Sequence, residues 1–216
     1  MGKTEHITQY RQELKERILS VAMPLFRKHG IRPVKMDDIA KQLTISKRTL
    51  YEIYANKEEL LLEGVKQSRK RNEERFLAEV GDGSLSVMDI LLKFYQVQMK
   101  DLEGITPQFF SDIQRFPSVM TYFQEKHQKN NEKAAAFFQR GVEEGFFRKD
   151  VDYSLISMFA NGCLHSVMES ELYKRYDLWY IFRSVILLFM RGVCTEKGLP
   201  MIDNLLEENH DKSNSF

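Results

Sequence analysis

The sequence predicts an all-α protein. Over most of the 216 residues, apolar side chains recur every three to four positions, the spacing that places them on one face of a helix. The breaks between these segments carry residues that typically end or start helices, such as Gly30, Ser86 and Pro107. No run of alternating apolar and polar residues indicates a strand. We therefore expect a small N-terminal helical head followed by a larger helical body.

Charge is distributed unevenly along the chain. Residues 1–57 contain twelve Lys or Arg and six Asp or Glu, which gives a balance of +6. The whole chain balances at +1, so residues 58–216 carry −5. A basic head on an acidic body fits a polyanionic ligand at one end of the chain. Chance clustering of solvated charge is the alternative.

Several classes of protein are disfavoured by composition. The two cysteines, Cys163 and Cys194, are too few for a disulfide framework and lie outside any metal-type cluster. The most apolar run, residues 181–190, contains Arg183 and is much shorter than the ~20 residues of a membrane span. There is no Ser/His/Asp spacing, no phosphate-binding loop and no paired metal-type histidine. We expect a cytoplasmic protein that is not an enzyme and needs no metal or cofactor.

Residues 36–54 predict two short helices joined by a tight turn. The first would cover residues 36–43 and the second residues 47–54, with Ser46 as the N-cap of the second. The outer face would carry a set rich in hydrogen-bond donors, namely Lys47, Arg48, Thr49, Tyr51 and Tyr54. A cationic helix braced by a shorter one is the helix-turn-helix arrangement that enters the DNA major groove. An ordinary helical hairpin with a solvated basic face is the alternative.

The remaining helices follow from periodicity and caps. The apolar pattern predicts helices over residues 9–28, 57–80, 87–102, from 107 to about 116, 118–144, from 152 to about 173, and 178–193. Residues 207–216 are polar and predict a disordered tail. The helix over residues 178–193 is apolar almost all round and should be buried on every side. Its second face would be covered either by a partner subunit or by the rest of this chain.

The flanks of the motif carry a wider pattern. The order is Phe26-x-x-x-Gly30, then Ile39-Ala40, then Ser46-x-x-Thr49-Leu50-Tyr51, then Tyr54-x-x-Lys57-Glu58-x-Leu60. Over about residues 17–61 this order resembles the tetracycline-repressor (TetR) family of bacterial regulators. Thr44 departs from the family, which usually has a glycine where the turn favours positive φ. Lys35 and Met36 stand where the family often has Ser or Thr.

The resemblance implies a DNA-binding domain over residues 1–56 and a ligand-binding and dimerisation domain over residues 57–216. It also implies a homodimer through the two C-terminal helices, which would read a near-palindromic operator with half-sites roughly 34 Å apart. Arg48 is the first candidate for bidentate recognition of guanine and Lys47 the second. The full set of expected DNA contacts is Lys35, Ser46, Lys47, Arg48, Thr49, Tyr51, Tyr54 and Lys57, of which Lys35, Tyr51, Tyr54 and Lys57 would hold phosphates.

The resemblance further implies a cavity for a small-molecule effector in the body. The expected lining is Phe94, Tyr95, Met99, Phe109, Phe110, Tyr122, Phe123, His127, Phe137 and Phe138. Ordinary core is the alternative for each of these residues. A bulky apolar effector would shift the protein toward a conformation with wrongly spaced reading heads, and the helix over residues 57–80 would transmit the change. Repression is the family default. A helical protein-interaction module without specific DNA binding is the competing function.

Overall fold

A computed structural model describes the backbone of residues 2–81 and 83–208. It describes the side chains of these residues except 2–8, 127–133, 161, 164–165, 178–179 and 205–208. Within this part of the chain, all regular structure is helical, apart from an isolated bridge between Phe147 and Cys194. The predicted fold class is therefore confirmed.

The described residues form ten α-helices and one 3₁₀ turn, Leu172–Lys174. The α-helices are α1 (Gly2–His29), α2 (Met36–Gln42), α3 (Lys47–Ile53), α4 (Lys57–Val80), α5 (Val87–Leu102), α6 (Pro107–Ile113), α7 (Pro117–Glu143), α8 (Tyr153–Glu169), α9 (Leu178–Val193) and α10 (Leu199–Glu208).

Helix starts agree with the sequence wherever a side chain caps the first turn. Asn56 accepts a hydrogen bond from the Glu59 N–H, and Asp152 accepts two from the start of α8. Two predictions fail after residue 169. Helix α8 stops before Tyr173, because Glu171 takes a left-handed backbone with φ of +53°. Helix α10 was not predicted at all, and residues 209–216 of the expected tail lie outside the described residues.

The chain divides into two compact units that are not contiguous in sequence. Unit 1 comprises Met1–Arg71 and Gly104–Gln124, and unit 2 comprises Asn72–Glu103 and Glu125–Phe216. Helix α4 therefore contributes residues to both. The functional boundary expected between residues 56 and 57 is a different division and stays a prediction.

Unit 1 has one hydrophobic core under α2 and α3. Ile18, Phe26, Ile39, Leu50 and Leu60 are completely buried in it. The same core takes in three residues of α6 and α7, which are Phe109, Ile113 and Val119. Apolar packing thus explains why residues 104–124 belong with the N-terminal helices.

Polar contacts tie the same two segments of unit 1 together. The Thr106 N–H and hydroxyl both donate to the Arg27 carbonyl, at 2.9 and 3.0 Å. The buried Asp112 carboxylate accepts from the Arg32 N–H at 2.8 Å. Each contact lies where α1 gives way to the α2 region, so α6 helps to fix the chain that enters the first motif helix.

Unit 2 is built around α5, α9 and α10. Val87, Phe147, Val193 and Ile202 are buried together in its main core. A salt bridge between Arg191 and Asp203 joins α9 to α10. Leu188 is 73% exposed, so the alternative in which the rest of this chain buries all of α9 is wrong, and burial by a partner subunit stays a prediction.

Candidate nucleic-acid interface and ligand cavity

The turn between α2 and α3 is held by backbone hydrogen bonds. The Thr44 N–H donates to the Lys41 carbonyl and the Ile45 N–H donates to the Ala40 carbonyl, at 3.1 and 3.0 Å. Thr44 has φ of +55°, the left-handed region in which the resemblance led us to expect a glycine. The turn is therefore formed despite the β-carbon at this position.

Helix α3 begins at a side-chain cap. The Ser46 hydroxyl oxygen accepts from the Thr49 N–H at 3.0 Å and lies 2.8 Å from the Thr49 hydroxyl oxygen. The cap leaves Lys47, Arg48 and Tyr51 exposed on α3. At the other end of the helix, Arg11 Nη2 donates to the Glu52 carbonyl at 2.9 Å. Both ends of α3 are thus anchored while its outer side chains reach solvent.

The two cations expected to read bases are both paired with carboxylates. Lys47 Nζ lies 2.9 Å from Asp37 Oδ1, which links α3 to the first turn of α2. Arg48 Nε lies 2.9 Å from Glu52 Oε1, one turn further along α3. Hydrogen bonding to these carboxylates raises the pKa of both cations. The sequence prediction did not include these pairs, although the four-residue spacing of Arg48 and Glu52 is a detectable signal.

The two lysines expected at phosphates have different environments. Lys35 precedes α2, and its N–H donates to the Asp38 carboxylate at 3.0 Å while its side chain is exposed. Lys57 Nζ donates to the carbonyls of Ile31 and Arg32, at 2.9 and 3.1 Å. Burial lowers the pKa of Lys57. Lys57 therefore braces the segment between α1 and α2, a role that the sequence prediction missed.

Tyr54 is buried, so the expectation that it contacts a phosphate is wrong for this conformation. The residue follows the end of α3 with an extended backbone, φ of −130° and ψ of 114°. Its side chain is only 2% exposed and packs in the core of unit 1. The buried hydroxyl has no hydrogen-bond partner, and burial raises the pKa of Tyr54. A phosphate cannot reach this hydroxyl in the observed conformation.

Unit 2 contains a cavity of about 200 Å³ with an almost wholly apolar lining. Three of the aromatic residues expected there do line it, namely Phe94, Tyr95 and Phe138. The other lining residues come mostly from α8, α9 and α10 and were not predicted: Leu91, Ile156, Ser157, Ala160, Val185, Ile186, Leu187, Phe189, Met190, Val193 and Ile202. Helical periodicity predicted the apolar helices that supply most of these residues, but it could not assign their side chains to a cavity.

The other expected lining residues lie elsewhere. Four of them pack in or against the core of unit 1, which are Phe109, Phe110, Tyr122 and Phe123. Met99 packs with Tyr95 in a separate cluster, and Phe137 packs against Phe138 and Phe147. The side chain of His127 lies outside the described residues.

Among the described side chains after residue 108, the large exposed apolar ones lie on α8 and α9, apart from Tyr176. Leu155, Met158 and Phe159 are exposed on α8, and Tyr180 and Leu188 are exposed on α9. Leu155, Met158 and Phe159 recur at three- and four-residue spacing, so they lie on one face of α8. Exposed apolar faces of this kind are typical of protein interfaces.

Comparison with known proteins identifies the family. A family model described as bacterial regulatory proteins of the tetR family matches residues 18–63, which include all of α2 and α3. Residues 18–63 therefore carry the N-terminal region that is typical of the TetR family. A TetR-family relative, the HTH-type transcriptional repressor KstR2 of Mycobacterium tuberculosis, is 24% identical over 147 residues, which are 66% of this chain and 73% of KstR2. The protein is a DNA-binding transcriptional regulator.

Solved structures of similar regulators share the fold. The structure of KstR2 from M. tuberculosis has a TM-score of 0.57 at 20% identity, over 84% of this chain and 95% of that one. A transcriptional regulator from Saccharomonospora viridis in complex with choline has a TM-score of 0.68 at 18% identity, over 86% of this chain and 100% of that one. These similarities support the TetR-type plan, in which a helix-turn-helix head precedes a helical C-terminal domain.

Among residues 2–81 and 83–208, no helix combines the length and the apolar composition of a membrane span. The side chains described in the same ranges include no group of three or more His, Cys, Asp or Glu that could hold a metal ion.

Proposed function

We propose that this TetR-family protein is a homodimeric repressor that binds a near-palindromic operator and leaves it when a small hydrophobic effector binds. The observation that carries the proposal is the exposed outer side of α3, where Lys47, Arg48 and Tyr51 stand beside the Ser46 cap. Such a helix fits the major groove. A regulator of this kind would act in the cytoplasm.

Base recognition is assigned to α3. Arg48 can donate two hydrogen bonds to guanine, and Lys47 is the second candidate. Thr49 completes the reading set, Ser46 holds the first turn, and Tyr51 is assigned to a phosphate. Lys35 and Lys57 would contact phosphates and set the register. Lys57 would use the N–H of its ammonium group that does not bond the Ile31 or Arg32 carbonyl.

Dimerisation is assigned to the exposed apolar side chains of α8 and α9. Pairing these helices across a two-fold axis would form a four-helix bundle and cover Met158, Phe159 and Leu188. Two-fold symmetry would then require operator half-sites roughly 34 Å apart, or a little more.

The effector is assigned to the cavity in unit 2. The lining residues that the structure describes include no Asp, Glu, Lys or Arg, so they favour an uncharged apolar molecule. Such a ligand can release DNA only if it prefers the conformation whose reading heads are wrongly spaced. Helix α4, which contributes residues to both units, is the proposed route of transmission.

The proposal is tested by selecting genomic fragments on the immobilised protein and measuring retained fragments by mobility shift over a range of salt. We expect a retained fragment to contain an inverted repeat and the affinity to fall steeply as salt rises. Failure to retain any fragment at low salt would instead favour the helical interaction module, with the apolar face of α8 and α9 as its docking surface.

Arg48→Ala should weaken binding to a retained fragment by about 1–3 kcal/mol while leaving the fold intact. The guanidinium is exposed and contributes a surface ion pair only, so unfolding by urea should change little. Arg75→Ala is the matched control, because it removes an exposed arginine of α4 in unit 2. Equal affinity of the Arg48→Ala protein and the wild type would remove Arg48 from the reading set.

A further inference from the structure

The helix-turn-helix segment is electrically balanced, although the head around it is basic. Residues 36–53 contain three cations, Lys41, Lys47 and Arg48, and three anions, Asp37, Asp38 and Glu52. The +6 balance of residues 1–57 therefore comes entirely from the flanking residues. The two cations at the start of α3 each face one of these anions at 2.9 Å.

Such pairing affects specific and non-specific DNA binding differently. A free surface cation binds any phosphate, because it releases a condensed counterion whatever the sequence. A cation already held by a carboxylate gains less from a phosphate, and the carboxylate itself repels the DNA backbone. A guanine edge offers two acceptors, O6 and N7, in an arrangement that can replace a carboxylate on an arginine. The pairs should therefore weaken non-specific binding more than specific binding.

We propose that Asp37 and Glu52 are specificity-determining residues, which withhold Lys47 and Arg48 from non-specific phosphates and release them to base edges of the operator. This inference rests on the proposed function. Discrimination between partners generally requires contacts that disfavour the wrong partner. Asp37 and Glu52 would disfavour non-specific DNA in this way.

Asp37 and Glu52 are each held in position beside the cation with which they pair. Asp37 lies in the first turn of α2, and its carboxylate reaches across to Lys47 at the start of α3. Glu52 is anchored through its own carbonyl, which accepts from Arg11 Nη2 at 2.9 Å. Since both ion pairs are exposed and such pairs contribute little to folding, variants that lack the carboxylates are expected to fold.

The test compares Glu52→Gln and Asp37→Asn with the wild type on two duplexes, a retained genomic fragment and a shuffled sequence of equal length. We expect each variant to bind the shuffled duplex roughly three- to tenfold more tightly and the retained fragment within about twofold of wild type, so the ratio of the two affinities falls. On the shuffled duplex, the slope of log K against log salt should steepen by up to about 0.9 for each cation released.

Glu13→Gln is the matched control. It makes the same change of charge in unit 1, but the Glu13 carboxylate accepts from Gln9 rather than from a cation. We expect its affinity ratio to stay within about twofold of wild type. The inference is overturned if Glu52→Gln and Asp37→Asn keep the wild-type ratio, or if they lose operator affinity without gaining on shuffled DNA. A wild type that prefers no fragment overturns the proposed function itself and the inference with it.

Discussion

Thr44 shows how a single residue can oppose the turn in which it stands. Its φ of +55° is a conformation that β-branched residues rarely adopt, because the β-carbon crowds the backbone. Left-handed backbone costs a non-glycine residue roughly 1–2 kcal/mol. The hydrogen bonds of the turn and the packing of α2 against α3 must offset this energy.

Thr44→Gly should therefore stabilise the protein by about 0.5–1 kcal/mol, since relief of strain exceeds the added entropy of the unfolded chain. Urea unfolding monitored by circular dichroism measures the change. Thr44→Ala is the control, because it keeps the β-carbon and should gain nothing from relief of backbone strain. A Thr44→Gly protein that is no more stable than the wild type would show that the turn is not strained.

Single residues also show which structural features could be predicted from the sequence and which could not. The Ser46 cap was predicted because a hydroxyl before a helical pattern is a local signal. Tyr54 was placed on the wrong side, because α3 ends at Ile53 and the next residue leaves the helical register. The pairing of Lys47 with Asp37 was missed, because it depends on how two helices cross rather than on spacing within one.

Among the helices, α6 has a role beyond covering apolar surface. Asp112 is completely buried and holds the Arg32 N–H at 2.8 Å, while Gln108 donates to its other oxygen at 2.7 Å. The segment that it holds leads into α2. A buried hydrogen bond to a charged group contributes roughly 1.5–3 kcal/mol, whereas the bond from the exposed Gln108 should contribute less.

Asp112→Ala should lower the free energy of unfolding by about 2–3 kcal/mol, because it removes both hydrogen bonds and leaves a cavity. The midpoint of urea unfolding measures this loss. Gln108→Ala removes only the second bond, from a residue that is exposed, and should cost less than about 1 kcal/mol. Similar losses in the two variants would contradict the role given to the Asp112–Arg32 contact.

Helices were predicted well where residues next to their ends cap them, and poorly where the helix depends on packing against residues distant in sequence. Helices α4 and α5 begin at their Asn56 and Ser86 caps, and both end where they were predicted to end. Helix α10 escaped prediction, since Ile202 is recognisable as core only against α5 and α9. Only three of the ten expected lining residues line the cavity, for the same reason: apolar residues such as Phe109 and Phe138 look alike in sequence, although they pack in different cores.

At the scale of the whole molecule, the exposed face of α8 and α9 is the proposed dimer interface. Met158 is 61% exposed and Leu188 is 73% exposed in the single chain. Water contact with several such side chains on adjacent helices is unfavourable, at roughly 25 cal/mol for each Å² of apolar surface. A second copy of the chain would cover them.

The Met158→Glu, Leu188→Glu double variant should therefore be monomeric, because two carboxylates at a two-fold interface meet their own copies and must be desolvated. Sedimentation equilibrium measures the mass in solution. Leu77→Glu is the control, since Leu77 on α4 is 59% exposed and outside the proposed interface. A double variant that remains dimeric would exclude these two side chains from the interface.

The division of the chain into discontinuous units limits how its DNA specificity can be transplanted. A fragment that stops at Arg71 lacks Phe109, Ile113 and Val119, so its own core is incomplete. Grafting the reading helices onto another regulator would thus require two stretches of sequence, residues 1–71 and 104–124, rather than one N-terminal piece. The intervening residues 72–103, which include the end of α4 and all of α5, would have to come from the recipient, and both junctions would have to be redesigned.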